Sequence, residues 1–279
     1  MKAMSLKAAF VGTLSILLLL GAASMRGSSV RAQNTQKTQP AKQASEQPSW
    51  IHIVVVRVKP EMVPEFLKLA KETMPAHRKA GVEWRDFWVT ETFGNFSEFT
   101  IVTPFEKFAQ FDSGSMLEQG MGKAAFEEWQ AKIRKVVEGV TSYAVYTRPD
   151  LGFHGDMTEA PKFGVTFTVR VAPGREQEYE NHLKNDYLPV FKRAGMKALF
   201  VGQTVFGGNV DEYMGLTLID NLADIDKGPP IRRVLNEAEA EKLMKKLPPG
   251  VVVSQTRSLV RYLPELSYMP AKSTTSKND

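Results

Sequence analysis

The sequence predicts an α+β fold built from two tandem β-α-β-β-α-β units packed sheet to sheet, and three observations carry that prediction. A strand end, a proline-started helix and a glycine stop occur twice, at residues 57–81 and 170–195. Matched residues recur at one offset: Pro75 with Pro189, Gly81 with Gly195, Thr90 with Thr204, Gly94-Asn95 with Gly208-Asn209 and Glu98 with Glu212. A constant offset over so long a span marks a repeated structural unit. Finally, the predicted helices cover one face of each sheet only, so the other faces need burial against each other.

Taken in order, residues 50–58 (WIHIVVVRV) form a dense β-branched run that reads as a buried strand. Pro60 stands where a first-turn proline is tolerated, and Phe66, Leu67, Leu69, Ala70 and Met74 recur at helical spacing until Gly81 ends the helix. Residues 83–92 and 96–103 follow as strands joined through Gly94-Asn95. A short helix is expected at 105–111, a loop able to serve as a lid at 113–122 with Met116 and Met121, a longer helix at 123–137 and a closing strand at 140–147. The second unit repeats the order: strand 163–171, helix 173–194, strands 197–206 and 211–219, helix 231–246 after Pro229-Pro230, and strand 251–261.

Before the first strand, Lys2 and Lys7 precede an apolar run at 8–23, which reads as a secretory signal peptide over 1–32 with cleavage after Ala32, with Gly21-Ala22-Ala23 as the alternative cleavage site and an uncleaved anchor as the competing reading. The run is short for a membrane span, and no Cys follows it to take a lipid. Residues 33–48 lack large apolar side chains and read as a disordered linker. The two halves are expected at 49–151 and 161–266, with a disordered tail at 267–279. The expected location is outside the cytoplasm, periplasmic or secreted. With no Cys in the chain, packing alone must hold the fold.

Charge excludes one class of partner. Residues 1–48 carry six bases and one acid, which accounts for the whole net charge of +5, and the rest balances 30 bases against 30 acids. Interleaved neutral charge is the wrong footprint for a phosphate backbone, so no nucleic-acid partner is expected. The chain also lacks GxSxG, a Walker-type glycine loop, HExxH and any Cys pair.

The element order is the ferredoxin-like one, and the fused pair resembles the dimeric α/β-barrel superfamily over residues 49–266. Members include antibiotic-biosynthesis-type monooxygenases, EthD-like and NIPSNAP-like proteins, and haem-dependent chlorite dismutases and dye-decolourising peroxidases. The resemblance implies a ligand cleft between a sheet and its own helices. It also implies two chemistries for an oxygenase: a cofactor-independent one in which aromatic and Arg groups position a planar substrate, and a haem-dependent one with a helix histidine as ligand.

Strand alternation places Trp50, His52, Val54 and Val56 on the helix-facing side, which makes His52 an acid/base candidate with Trp50 beside it. His77 follows Met74 on the first helix and is aimed at the same cleft, or else interacts with the helix end. Trp84, Arg85 and Trp88 are candidates for gripping a planar substrate; filling the core is the alternative. In the second half Tyr179, His182 and Asp186 share one helix face, so Asp186 is placed to orient His182, the residue to test as a haem ligand. A solvated face is the competing reading of that set.

These observations point to an exported protein that binds a small hydrophobic or aromatic molecule, with no cofactor expected and haem as the alternative. A monooxygenase-like enzyme and a non-catalytic structural barrel are the rival readings. Homo-oligomerisation remains open, and no stable membrane span is expected once the signal is removed.

Overall fold

The computed structural model describes residues 49–155 and 159–269. The expected signal peptide, the linker up to residue 48 and residues 270–279 of the tail lie outside the described residues. The first half runs β1 (Trp50–Val58), α1 (Val63–Lys79), β2 (Asp86–Thr90), β3 (Glu98–Phe105), α2 (Met116–Met121), α3 (Lys123–Val136) and β4 (Val137–Thr147). After β5 (Phe153–His154), the second half runs β6 (Phe163–Val171), α4 (Glu176–His182), α5 (Leu188–Arg193), β7 (Ala198–Phe206), β8 (Glu212–Ile219), α6 (Ala223–Asp226), α7 (Pro230–Val234), α8 (Glu237–Met244) and β9 (Val252–Tyr262).

Several elements depart from expectation for local reasons. The loop at 113–122 contains α2, started by the Ser115 hydroxyl accepting from Glu118 N at 3.1 Å and stopped by Gly122 at φ 83°. The expected helix 231–246 is two, because Leu235 is extended and Asn236 opens α8 with a capping box shared with Glu239. The long helix of the second half is interrupted between α4 and α5 by a π turn, Leu183–Tyr187. Such a turn shifts every later side chain around the axis and is frequent at functional sites.

Within each half the strands pair antiparallel, giving β4-β1-β3-β2 and β9-β6-β8-β7. The two sheets do more than face each other. Their edges pair, β2 with β9 through Trp88–Thr90 and β4 with β7 through Ala144–Thr147, so eight strands close into one barrel and β5 extends the edge of β7. Closure removes the free edge along those stretches.

Alternation then sorts the core into layers. On the helix side of the first half, Val56, Val58, Phe87 and Phe99 pack against Phe66, Leu69 and Ala70 of α1. The second half repeats this with Val169, Val171, Leu199 and Tyr213 against Tyr179, Leu183 and Leu188. Inside the barrel, Trp88, Ala198, Leu218, Val260 and Tyr262 form a third cluster that spans both halves. Each fully buried Phe, Leu or Val contributes about 1.5–3 kcal/mol.

The expected tail is corrected at its start. Ser267 and Tyr268 are only 8% exposed each: Phe87 N donates to the Ser267 hydroxyl at 2.9 Å, and Tyr268 exchanges backbone hydrogen bonds with Arg85. The end of the second half is therefore stitched onto the first, next to β2.

Candidate functional site

One rung of the first sheet collects polar side chains on the helix side. His52 on β1 stands opposite Thr103 on β3. The β2–β3 register pairs Asp86 with Val102, and continuing it by one residue sets Arg85 opposite Thr103. Arg85 in turn bridges to Tyr268. Directly opposed residues project to the same face, so His52, Thr103, Arg85 and Tyr268 line up beneath α1. From above, Thr73 and His77, one helical turn apart on α1, reach down to the same place.

Arg85 is the centre of this cluster. It is 1% exposed, and its Nη1 donates to Thr73 Oγ1 at 2.6 Å and approaches His77 Nδ1 at 3.4 Å. Thr73 accepts that bond while donating its own proton to Ala70 O at 2.6 Å. A guanidinium has no lone pair to offer, so His77 Nδ1 is the acceptor and the ring is neutral. Nε of Arg85 is buried without a partner, and among the described residues no carboxylate forms an ion pair with this side chain. Burial pulls the Arg85 pKa down to about 10, partly opposed by Tyr268, which leaves it cationic at neutral pH. His77 is pushed down to about 3, by burial first and then by Arg85 and His52. Burial lowers His52 as well, so both imidazoles are neutral bases at physiological pH.

An aromatic wall adjoins the polar rung. Trp50 contacts Phe105, Phe108 and Tyr146 at ring distances of 5.8, 4.9 and 4.8 Å, and Phe111 stands edge-on to His52 at 6.0 Å. Phe108 also meets Phe206 of the second half at 5.5 Å. Phe108 and Phe111 belong to the segment that leads into α2, with Gly114 at φ 99° and Gly122 at φ 83° on either side of that helix. α2 docks tightly on α1, where a Cβ at Gly120 would fall 1.9 Å from Ala76 O. The segment thus covers the His52 end of the cluster and has a positive-φ glycine at each end of its helix.

The expected trio of Trp84, Arg85 and Trp88 does not form. Arg85 shares the helix side with Phe87, whereas Trp88 points into the barrel, 3% exposed and edge-on to Tyr262 at 4.9 Å. Trp84 has the parity of Trp88 and is half-buried. The reason is the two-residue period of β2, which sends neighbours to opposite faces. Asp86 goes with Trp88: burial pushes its carboxyl up to about 6 despite a hydrogen bond from the Tyr262 hydroxyl at 3.2 Å.

In the second half, Tyr179 is packed against Tyr213 at 4.9 Å within the core. His182 is 5% exposed, pairs through Nδ1 with Asp186 at 2.9 Å and leaves Nε2 buried and unpartnered. Burial would raise Asp186, but Lys246 and His182 outweigh it and hold the carboxyl below its ordinary value. A carboxylate-oriented imidazole with a free nitrogen suits an axial haem ligand in donor chemistry. Room for a macrocycle is another matter. The Tyr187 ring stands edge-on 4.5 Å from His182, and the elements around it are packed into the core of that half. A groove of about 370 Å3 between α1, α2 and α3 beside Trp129 and one of about 330 Å3 along α8 are lined neither by His182 nor by Arg85 or His52. The residues present do not fit haem at this place. Among the described residues, no group of three or more His, Asp or Glu could hold a metal ion, and no helix is long and apolar enough to cross a membrane.

Comparison with known proteins agrees with this architecture. A candidate monooxygenase from Lactobacillus acidophilus superposes with a TM-score of 0.53 at 12% identity, covering 80% of this chain and 97% of its own. A second candidate monooxygenase, from Fusobacterium nucleatum, gives 0.52 at 14% identity over 77% and 92%. An anthrone oxidase-like protein gives 0.56 at 10% identity over 78% and 93%. The fold they share with this chain is the dimeric α/β barrel, here with both halves in one chain. No family model matches the chain, and no curated protein matches it. At such low identity the likeness carries the barrel and not the chemistry.

The polar rung draws together His52, His77 and Arg85 from the sequence candidates, with Trp50 in the adjoining wall. Thr73, Thr103, Phe111 and Tyr268 were missed. Thr73 was within reach, since it lies four residues before His77 on the same helix face. Tyr268 was not, because nothing in a residue beyond the last strand announces that it returns to pair with Arg85.

Proposed function

We propose that this protein binds a small planar aromatic molecule between the sheet and α1 of the first half, over the rung of His52, Thr103 and Arg85. One observation carries the reading: a fully buried guanidinium with an unpartnered Nε stands among neutral imidazoles and threonine hydroxyls beside an aromatic wall. Buried polar groups are ordinarily satisfied, and one that is not points to an external partner. Entry would be through movement of the segment from Phe108 to Gly122 about its two glycines. Isothermal titration with 2-naphthol and 2-naphthoate tests it. Binding that His52→Trp abolishes without lowering thermal stability supports the reading; no heat with either compound sinks it.

A second reading has its own observation, the pair of neutral histidines beside a fixed cation. His77 Nδ1 is engaged by Arg85, whereas His52 makes no hydrogen bond among the described residues and could take a proton from a bound enol or phenol, whose anion Arg85 would stabilise. Dioxygen would then be the oxidant, as in a cofactor-independent monooxygenase. Oxygen uptake with hydroxylated aromatics, lost in His52→Phe, is the measurement, and absence of uptake with substrates that bind leaves a binding protein. We further propose export directed by residues 1–32; intact mass of the mature chain beginning near residue 33 would support it, and an unprocessed cytosolic chain would overturn it.

A further inference from the structure

The guanidinium of Arg85 is used unevenly. Its end, Nη1, is committed to Thr73 and His77. Among the described residues its side edge is free: Nε is buried without a partner, and no hydrogen bond is made by Nη2. On a guanidinium the Nε and Nη2 hydrogens are parallel and about as far apart as the two oxygens of a carboxylate, so this edge is the one that takes a carboxylate with two bonds. The rest of the site fixes the charge and shape of such a partner. His77 and Thr73 are neutral donors or acceptors, and the next acid in sequence, Asp86, points into the barrel on the other face. Arg78 is engaged on the Tyr268 ring at 4.1 Å. One buried positive charge without a counter-ion calls for one negative charge, which disfavours a phosphate dianion. The Phe87 ring lies 5.0 Å from the guanidinium carbon, so the surroundings of the charged group are apolar and aromatic.

We infer that the ligand of this cluster is an aromatic monocarboxylate, held side-on by Nε and Nη2 of Arg85. The inference rests on the binding reading above and narrows it to a chemical class. His77 and Thr73 act as positioning residues, because they pin Nη1 and so aim the free edge.

The experiment compares 2-naphthoate with its neutral isostere 2-naphthamide on the full-length protein. The carboxylate is expected to bind at least tenfold more tightly. Arg85→Lys keeps the charge but loses the fork, and should cost about tenfold in naphthoate affinity; Arg85→Leu should remove the preference for the acid over the amide altogether. Thermal melts of both variants verify folding, and the wild-type comparison needs no variant. Equal affinity for acid and amide would overturn the carboxylate assignment yet leave the aromatic site standing. If neither compound binds, the site reading and this inference fall together. Naphthoate binding that survives Arg85→Leu undiminished would place the acid elsewhere and overturn the inference.

Discussion

Replacing Arg85 by Leu should make the protein more stable. The position in the second half that corresponds by register is Leu199, opposite Thr217 as Arg85 is opposite Thr103, and Leu199 is 3% exposed in a well-packed cluster. A pKa drawn from 12.5 to about 10 by burial corresponds to about 3 kcal/mol against the charged form. Losing the hydrogen bond to Thr73 offsets about 1 kcal/mol of this, and Thr73 keeps its bond to Ala70 O. The contact with the Phe87 ring removes about 0.5 kcal/mol more. The net gain is about 1–2 kcal/mol. For a domain of this size that is a rise in Tm of about 2–8 °C. Because the folded pKa is depressed but still far above neutrality, the gain should be constant at every pH below about 9 and shrink only as Arg85 itself deprotonates. Calorimetric melts at pH 6, 7 and 8 read it out. A Tm that falls on substitution would show that Arg85 holds the fold together, and would remove the physical argument for a ligand.

Three further outcomes follow from the same geometry. His77 is neutral in the fold down to about pH 3 but protonates near 6.5 when unfolded, so stability should be lost as pH falls below 6.5 by about 1.4 kcal/mol per unit; His77→Phe should flatten that limb in pH-dependent denaturant titrations. Asp86 has the opposite sign: its folded pKa near 6 exceeds the ordinary 3.8, so its contribution is full below about pH 4 and lost as pH rises through 6, an effect of about 3 kcal/mol that Asp86→Asn should remove. Gly120→Ala should cost about 1–3 kcal/mol by chemical denaturation, since its Cβ would fall 1.9 Å from Ala76 O, and an unchanged midpoint would mean that α2 does not dock on α1 as described.

How much of this was legible in the sequence depends on what each feature needs. Strand and helix order followed from apolar period and from Pro and Gly punctuation, which are local. The matched Gly81 and Gly195 both end helices at positive φ, 79° and 73°, as a glycine stop requires. Side-chain parity was legible on β1, where Trp50 and His52 lie on the helix side with Val56. It was misjudged on β2, where Trp84, Arg85 and Trp88 were grouped by nearness in sequence although one residue of offset reverses the face. Edge pairing of the two sheets, the return of Tyr268 to Arg85 and the π turn after His182 depend on contacts between distant segments. No short-range pattern encodes them.

The two halves also supply a comparison that a single domain could not. In the first, one rung presents Ala144, His52, Thr103, Arg85 and the bridging Tyr268; in the second, the same rung presents Leu259, Val165, Thr217, Leu199 and Phe153. Even the outer stacking is kept, with Arg78 over Tyr268 and Lys192 over Phe153. The scaffold is thus satisfied by apolar residues at the places where the first half has His52 and Arg85, and a barrel needing only to fold would fill both rungs alike. A buried charge without an ionic partner among the described residues, on a framework that shows an apolar solution in its other half, is explained by what the charge can hold.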